Sequence, residues 1–216
     1  PNAVNPVESE PEVSELLAEV QEKIGDSQVV GYIGSLRELE GVDSTADAVS
    51  ILRKRGVNAK LFVLSSESGQ SELLAHCEKL GIGDDAIITG PVPHNQVAPF
   101  YELIDVFVVS RPDKRVTRLV TPLKPFEAMQ AGRALVMSDL PALAEIVEDG
   151  KTGILYPPAN IEKLADSIED LLNDKDKRQA LGEAATQWVA QNRTWPSVIK
   201  NVAELYRSLL MVKSNG

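Results

Sequence analysis

The chain has little cysteine, little aromatic bulk and a shortage of positive charge, and each lack excludes something. Cys77 is alone among 216 residues, which rules out an intramolecular disulfide framework and fits a reducing compartment. Uninterrupted apolar runs reach only about four residues, as at 134–137, so no segment reads as a bilayer-spanning helix and a soluble chain is expected. Lys and Arg number 22 against 32 acids, for a net charge of −10. That argues against general binding of nucleic acid or an anionic membrane, both of which need a broad basic surface, but it leaves room for a local anion site. The sequence opens at Pro1 without an initiator methionine or a signal-peptide pattern, as expected of a trimmed start or a piece of a longer protein.

What is present is a repeating pattern. Residues 1–12 carry Pro1, Pro6 and Pro11 among Glu8, Glu10 and Glu12 and predict a linker; residues 13–213 predict one domain. Val13, Leu16, Leu17, Val20 and Ile24 recur at helical spacing up to Gly25. Short apolar strands at 29–33, 61–64, 86–89, 106–109 and 134–137 then alternate with helices at about 42–55, 71–80, 96–103 and 126–131. Strands that are continuously apolar are covered on both faces, so the expected fold is α/β: a doubly wound, Rossmann-like parallel sheet. The C-terminal third reads as helical. Asn160 caps a helix marked by Ile161, Leu164, Ile168, Leu171 and Leu172, and Thr194 opens another through Val198, Val202, Leu205 and Leu209.

Open parallel sheets bind ligands beyond the carboxyl ends of their strands, and three segments fall there. The first is 34–41, where Gly34 and Ser35 let a phosphate approach the backbone and Arg37 is placed to pair with it. It is not a GxGxxG fingerprint, and an ordinary turn with a solvated arginine explains it equally well. The second is the loop 110–122. From Arg111 to Lys124 it gathers Arg111, Lys114, Arg115, Arg118 and Lys124 against Asp113 alone, about +4 in a chain whose remainder carries about −14. The third is 121–129, where Thr121, Pro122 and Leu123 lead into a helix expected to start between 122 and 125. Free amides of Leu123, Lys124 and Phe126 would suit a diphosphate there. Glu127 reads either as a surface acid complementing the helix dipole or as an acceptor for a ribose diol. His94 reads as a loop residue capping a helix, His76 beside Cys77 shows no metal-site pattern, and Trp188 and Trp195 read as packing residues.

The run KPFEAMQAGRALVMSDLPALAEIVEDGKTGILYPP, from Lys124 to Pro158, resembles the donor-binding signature of GT-B glycosyltransferases, specifically the large retaining family 4. VVGYIGSLRELEGVDSTADAV, TGPVPHNQV and YELIDVFVVS match the same family in order, and Thr194 and Trp195 open its usual last helix, so the resemblance covers nearly all of 28–210. It implies one half of a two-domain enzyme: the C-terminal domain that binds a nucleotide-sugar donor. A preceding acceptor domain would be the partner, and PNAVN looks like the hinge between them. The implied reaction moves a sugar from a nucleoside-diphosphate sugar to an acceptor hydroxyl with retention, needing no cofactor and no metal, in the cytoplasm or at the inner face of the membrane. Alone, the domain would bind donor without transferring sugar.

By the same resemblance, the second glutamate of the family's EX7E motif falls on Glu127, a ribose ligand, while the first falls on Leu119 and is missing. RPDKRVTRLVTPLK replaces the usual glycine-rich EGFG segment. The family's phosphate-binding arginine and lysine fall on Ser35 and Glu40, leaving Arg37, Arg111, Arg115, Arg118 and Lys124 to supply charge. The base is expected near Gly90, Pro91 and Val92, with Glu67 as a neighbouring carboxylate. The implied catalytic set is thus Glu127, Lys124 and Arg37. The donor-binding set adds Gly34, Ser35, Gly90, Pro91, Val92, Arg111, Arg118, Thr121, Pro122 and Leu123. Two other readings stand beside it: a GT-B UDP-sugar epimerase, for which only Glu127 is in place, and a non-catalytic nucleotide-binding scaffold.

Overall fold

The computed structural model describes residues 15–194 and residue 199. Six strands, β1 (Gln28–Ile33), β2 (Ala59–Leu64), β3 (Ala86–Thr89), β4 (Val106–Val109), β5 (Ala134–Ser138) and β6 (Ile154–Tyr156), form one sheet in the order β3-β2-β1-β4-β5-β6. Every neighbouring pair is parallel. The chain winds outward from β1 to β3 and then crosses back to lay β4, β5 and β6 on the other side. The direction of winding therefore reverses between β1 and β4, and the crevice outside their carboxyl ends is where such a sheet receives a ligand. All four residues of β4 and all five of β5 are buried, which requires cover on both faces. That is why these strands read as unbroken apolar runs instead of alternations.

The helices are α1 (Glu15–Ile24), α2 (Val42–Lys54), α3 (Gln70–Leu80), α4 (Ala98–Glu102), α5 (Arg115–Leu119), α6 (Lys124–Gln130), α7 (Pro141–Ala144), α8 (Ile161–Asn173) and α9 (Lys175–Asn192). The expected N-cap of α8 is present: Asn160 Oδ1 accepts from the Lys163 amide at 3.0 Å, and Asp174 caps α9 in the same way at 2.9 Å. The burial of Leu164, Ala165, Ile168, Leu171 and Leu172 follows the helical repeat of α8. Arg178 on α9 reaches Asp105 at 3.0 Å, and the other Asp105 oxygen accepts from the Val29 amide at 2.9 Å, tying the terminal helices to the amino end of the sheet.

The structure adds to the sequence expectation in four places. β6 is a sixth strand, three residues long and recognisable only by its pairing with β5. α5 and α7 occupy stretches without a clear helical repeat, five and four residues long. The helix expected over 96–103 is instead a 3-10 turn, His94–Gln96, followed by α4, because Pro99 at the start of α4 has no N–H to carry the earlier turn onward. The linker 1–12, Trp195 and the helix expected to open at Thr194 lie outside the described residues, Thr194 and Ile199 excepted.

Candidate functional site

The loops that leave β1 and β4 are laced together over the switch point. Gly41 has φ +66°, and a Cβ there would lie 2.1 Å from the Ser110 carbonyl oxygen, so glycine is required for the loops to meet. Ser110 Oγ gives its proton to the Gly41 carbonyl at 2.6 Å, which leaves Thr45 Oγ1, at 2.8 Å, to donate to Ser110. Next along, Arg111 is 5% exposed and grips Glu40 with two hydrogen bonds of 2.9 Å, while its third arm donates to the Val120 carbonyl at 3.0 Å. Tyr32 donates to the Ser35 carbonyl at 3.3 Å. Burial, then the Glu40 charge, pushes its hydroxyl far above the ordinary phenol range, so it remains a donor.

The charge count of loop 110–122 changes once the fold is known. Lys114 is ion-paired with Glu38, and Arg118 with Asp113, where Nη2 to Oδ2 is 2.6 Å. Lys124 Nζ lies 3.1 and 2.9 Å from the two oxygens of Glu127. With Arg111 on Glu40, four of the five cations between 111 and 124 have an acid of their own. Three of those acids come from outside the 110–122 loop, which is why the local count gave about +4. Arg111 is thereby a buried strut between loops, its three nitrogens engaged with Glu40 and the Val120 carbonyl. Arg118 is exposed but compensated. Arg37 and Arg115 are exposed, and among the described residues neither has an ion-pair partner. They are exposed cations on the segments that follow β1 and β4.

Glu127 sits in the first turn of α6, half-buried, where it is met from inside by Tyr101 on α4. The Tyr101 hydroxyl donates to Glu127 Oε2 at 2.9 Å. Tyr101 is 3% exposed, and its ring lies 5.7 Å from that of Phe107 on β4. Burial first, and the Glu127 charge second, raise its hydroxyl well above the usual range and keep it protonated. At the start of α6 the Phe126 amide donates to the Leu123 carbonyl at 3.0 Å, so it is not one of the free donors expected there. Pro122 is buried, Thr121 half-buried and Leu123 half exposed. Leu119, where the resemblance expects a glutamate, is 71% exposed on α5.

The carboxyl ends of β2 and β3 form the other wall. Gly90 has φ +104°, and a Cβ there would meet the Ser65 carbonyl at 2.5 Å. Gln70 Nε2 bridges the Thr89 and Ser65 carbonyls at 3.2 and 3.3 Å, which fixes the turn into Pro91 and Val92. Gly34 and Ser35 follow β1, where the Gly34 amide donates to the Leu64 carbonyl of β2 at 3.0 Å, and Glu67 and His94 are exposed. His76 is away from the site, hydrogen-bonded to Asp47 at 2.9 Å. Trp188 stacks on Phe126 at 6.5 Å with an interplanar angle of 4°, as its packing assignment expects. Among the described residues no group of three or more His, Cys, Asp or Glu is arranged to hold a metal, and no helix is long and apolar enough to cross a membrane. Sequence reasoning missed Tyr101. A buried tyrosine hydroxyl always needs a partner, but the partner lies 26 residues away on another helix.

The family model "Glycosyl transferases group 1" matches residues 14–188. Among curated proteins, alpha-D-kanosaminyltransferase of Streptomyces kanamyceticus is 26% identical over 194 residues, 89% of this chain and 49% of that protein. The chain spans about half the length of the curated relatives it matches. Among solved structures, the C-terminal domain of the group 1 protein LpcC from Francisella tularensis superposes with a TM-score of 0.69 at 20% identity, covering 86% of this chain and 95% of that domain. Anabaena HepE, in complex with UDP-glucose, superposes with a TM-score of 0.72 at 20% identity over 91% of this chain and 54% of its own. The structural likeness carries the fold, and the family match, over most of the chain, carries the lineage: this chain belongs to the group 1 glycosyl transferases.

Proposed function

We propose that this chain is the nucleotide-sugar donor-binding half of a retaining glycosyltransferase, which moves a sugar from a nucleoside-diphosphate sugar to an acceptor hydroxyl. The observation that carries this reading is that Glu127, held by Tyr101 and Lys124 at the head of α6, and two exposed cations, Arg37 and Arg115, lie on the segments that follow β1 and β4, the two strands that flank the switch point. In the proposed pose the base lies against Gly90, Pro91 and Val92, and the ribose diol donates to Glu127. The diphosphate lies over Gly34, Ser35 and the 121–123 turn, within reach of Arg37, Arg115 and Lys124. Membership of the group 1 family supports the reading, as does the nucleotide sugar bound by the Anabaena neighbour.

The chemistry asked of these residues is electrostatic. As the acceptor oxygen attaches to the anomeric carbon, the bond from that carbon to the diphosphate breaks, and negative charge collects on the departing phosphate oxygen. Arginine and lysine brought to that point stabilise the charge more in the transition state than in the ground state. In this reading the acceptor site belongs to a separate acceptor domain, and the acceptor's proton goes to a group there or to the donor's own phosphate, so the chain alone binds nucleotide and transfers little or no sugar. Calorimetric titration with UDP, GDP and ADP tests this: one of the three binds one-to-one, and binding by none would remove the donor-site assignment.

A further inference from the structure

Glu127 is held before any ligand arrives, and its two holders differ in kind. Lys124 reaches it on a flexible stem from the solvent side, with a third of its side chain exposed. Tyr101 reaches it from the core on a ring that is 3% exposed and packed against Phe107. A carboxylate has about four lone-pair positions. Oε2 already accepts from both Tyr101 and Lys124, whereas Oε1 accepts only from Lys124, and at the longer distance of 3.1 Å. The rigid contact therefore decides which oxygen is left open and which way the carboxylate plane faces.

We propose that Tyr101 is a positioning residue, which fixes the Glu127 carboxylate so that its open oxygen meets the 2′ and 3′ hydroxyls of the donor ribose. Tyr101 thereby sets the preference for ribonucleoside over deoxyribonucleoside diphosphates. This rests on Glu127 being the ribose acceptor. An acceptor that can swing pays an entropic penalty on binding a diol, and one clamped in place does not. Tyr101 touches no substrate atom in this scheme, and its effect passes wholly through Glu127.

Tyr101→Phe removes one hydroxyl and keeps the ring on Phe107. The readout is the ratio of dissociation constants for whichever of UDP, GDP and ADP binds and for its 2′-deoxy and 3′-deoxy counterparts. The unaltered chain should favour the ribonucleotide about tenfold or more, in keeping with a hydrogen bond to a charged group. In Tyr101→Phe that preference should fall to within about threefold, with affinity for the deoxynucleotides nearly unchanged. A variant that keeps the full preference, or that weakens ribo and deoxy binding equally, overturns the proposal while leaving Glu127 as the ribose acceptor. An unaltered chain with no preference overturns the Glu127 reading itself. If the variant does not fold, the unaltered chain answers: its Tyr101 hydroxyl proton should give a slowly exchanging NMR line that moves with the ribonucleotide and much less with the deoxynucleotide. Equal movement with both overturns the proposal.

Discussion

Arg111 and Glu40 are 71 residues apart in sequence and form a two-toothed ion pair at 2.9 Å, with side-chain exposures of 6% and 12%. The pair joins the loop after β1 to the loop after β4, so the shape of the crevice depends on a contact that no local stretch of sequence contains. Removing one member strands the other without water. Arg111→Ala should lower unfolding free energy by about 3–5 kcal/mol in urea titrations, and Arg111→Lys should recover only part of it, because a lysine cannot span both oxygens. Lys114→Ala and Arg118→Ala, at solvent-screened exposed pairs, should each leave the urea midpoint nearly unchanged.

Gly41→Ala tests the lacing directly. The new methyl would stand 2.1 Å from the Ser110 carbonyl oxygen in a left-handed backbone conformation. A loss of at least about 2 kcal/mol is expected, measured by thermal or urea unfolding, since strain and overlap add. Gly56→Ala is the control: its φ is +85° but nothing lies within 4 Å, so the conformational penalty of about 1 kcal/mol should appear alone.

The free cations give a prediction separate from stability. Arg37→Ala and Arg115→Ala should each weaken nucleotide diphosphate binding about tenfold in calorimetry and leave the melting temperature unchanged. Raising salt from 0.05 to 0.5 M, by about a factor of ten, should erase much of the difference between variant and parent, because both side chains are exposed.

Much of the fold was legible because its periodicity is local. Five of six strands and the capped start of α8 are visible as apolar runs and an Asn160 signal. β6 was not, because Ile154, Leu155 and Tyr156 carry no pattern until β5 is beside them. The three segments at strand ends were legible for the same reason: parallel sheets place their sites there. The state of each charge was not. Arg111, Lys114 and Arg118 look alike in sequence, and only the fold brings Glu40 and Glu38 across to two of them while leaving Arg115 without an ion-pair partner among the described residues. Tyr101 was hidden because its role depends on a contact between two helices.

Alkaline pH should destabilise the protein in a window set by its buried acids. Burial pushes the Cys77 thiol up to about 11 and the Tyr156 hydroxyl up to about 12. Both pKa values are higher folded than unfolded, so above about pH 9 the unfolded chain binds fewer protons than the native one and stability falls. The Cys77 part is complete below about pH 9 and lost as pH passes about 11. Urea unfolding at pH 8 and pH 10 should show this decline, and Cys77→Ala should show a shallower one.

In the proposed function a nucleoside diphosphate binds across the β1/β4 switch point with its ribose on Glu127. Amide chemical-shift mapping during titration with UDP, GDP and ADP tests it most directly. Saturable, one-to-one shifts are expected for one of the three nucleotides, concentrated at Gly34, Ser35, Gly90, Val92 and Leu123, with affinity weakened about tenfold or more by Glu127→Ala. Shifts clustered at another face of the sheet, or the same shifts and affinity in Glu127→Ala, would contradict it.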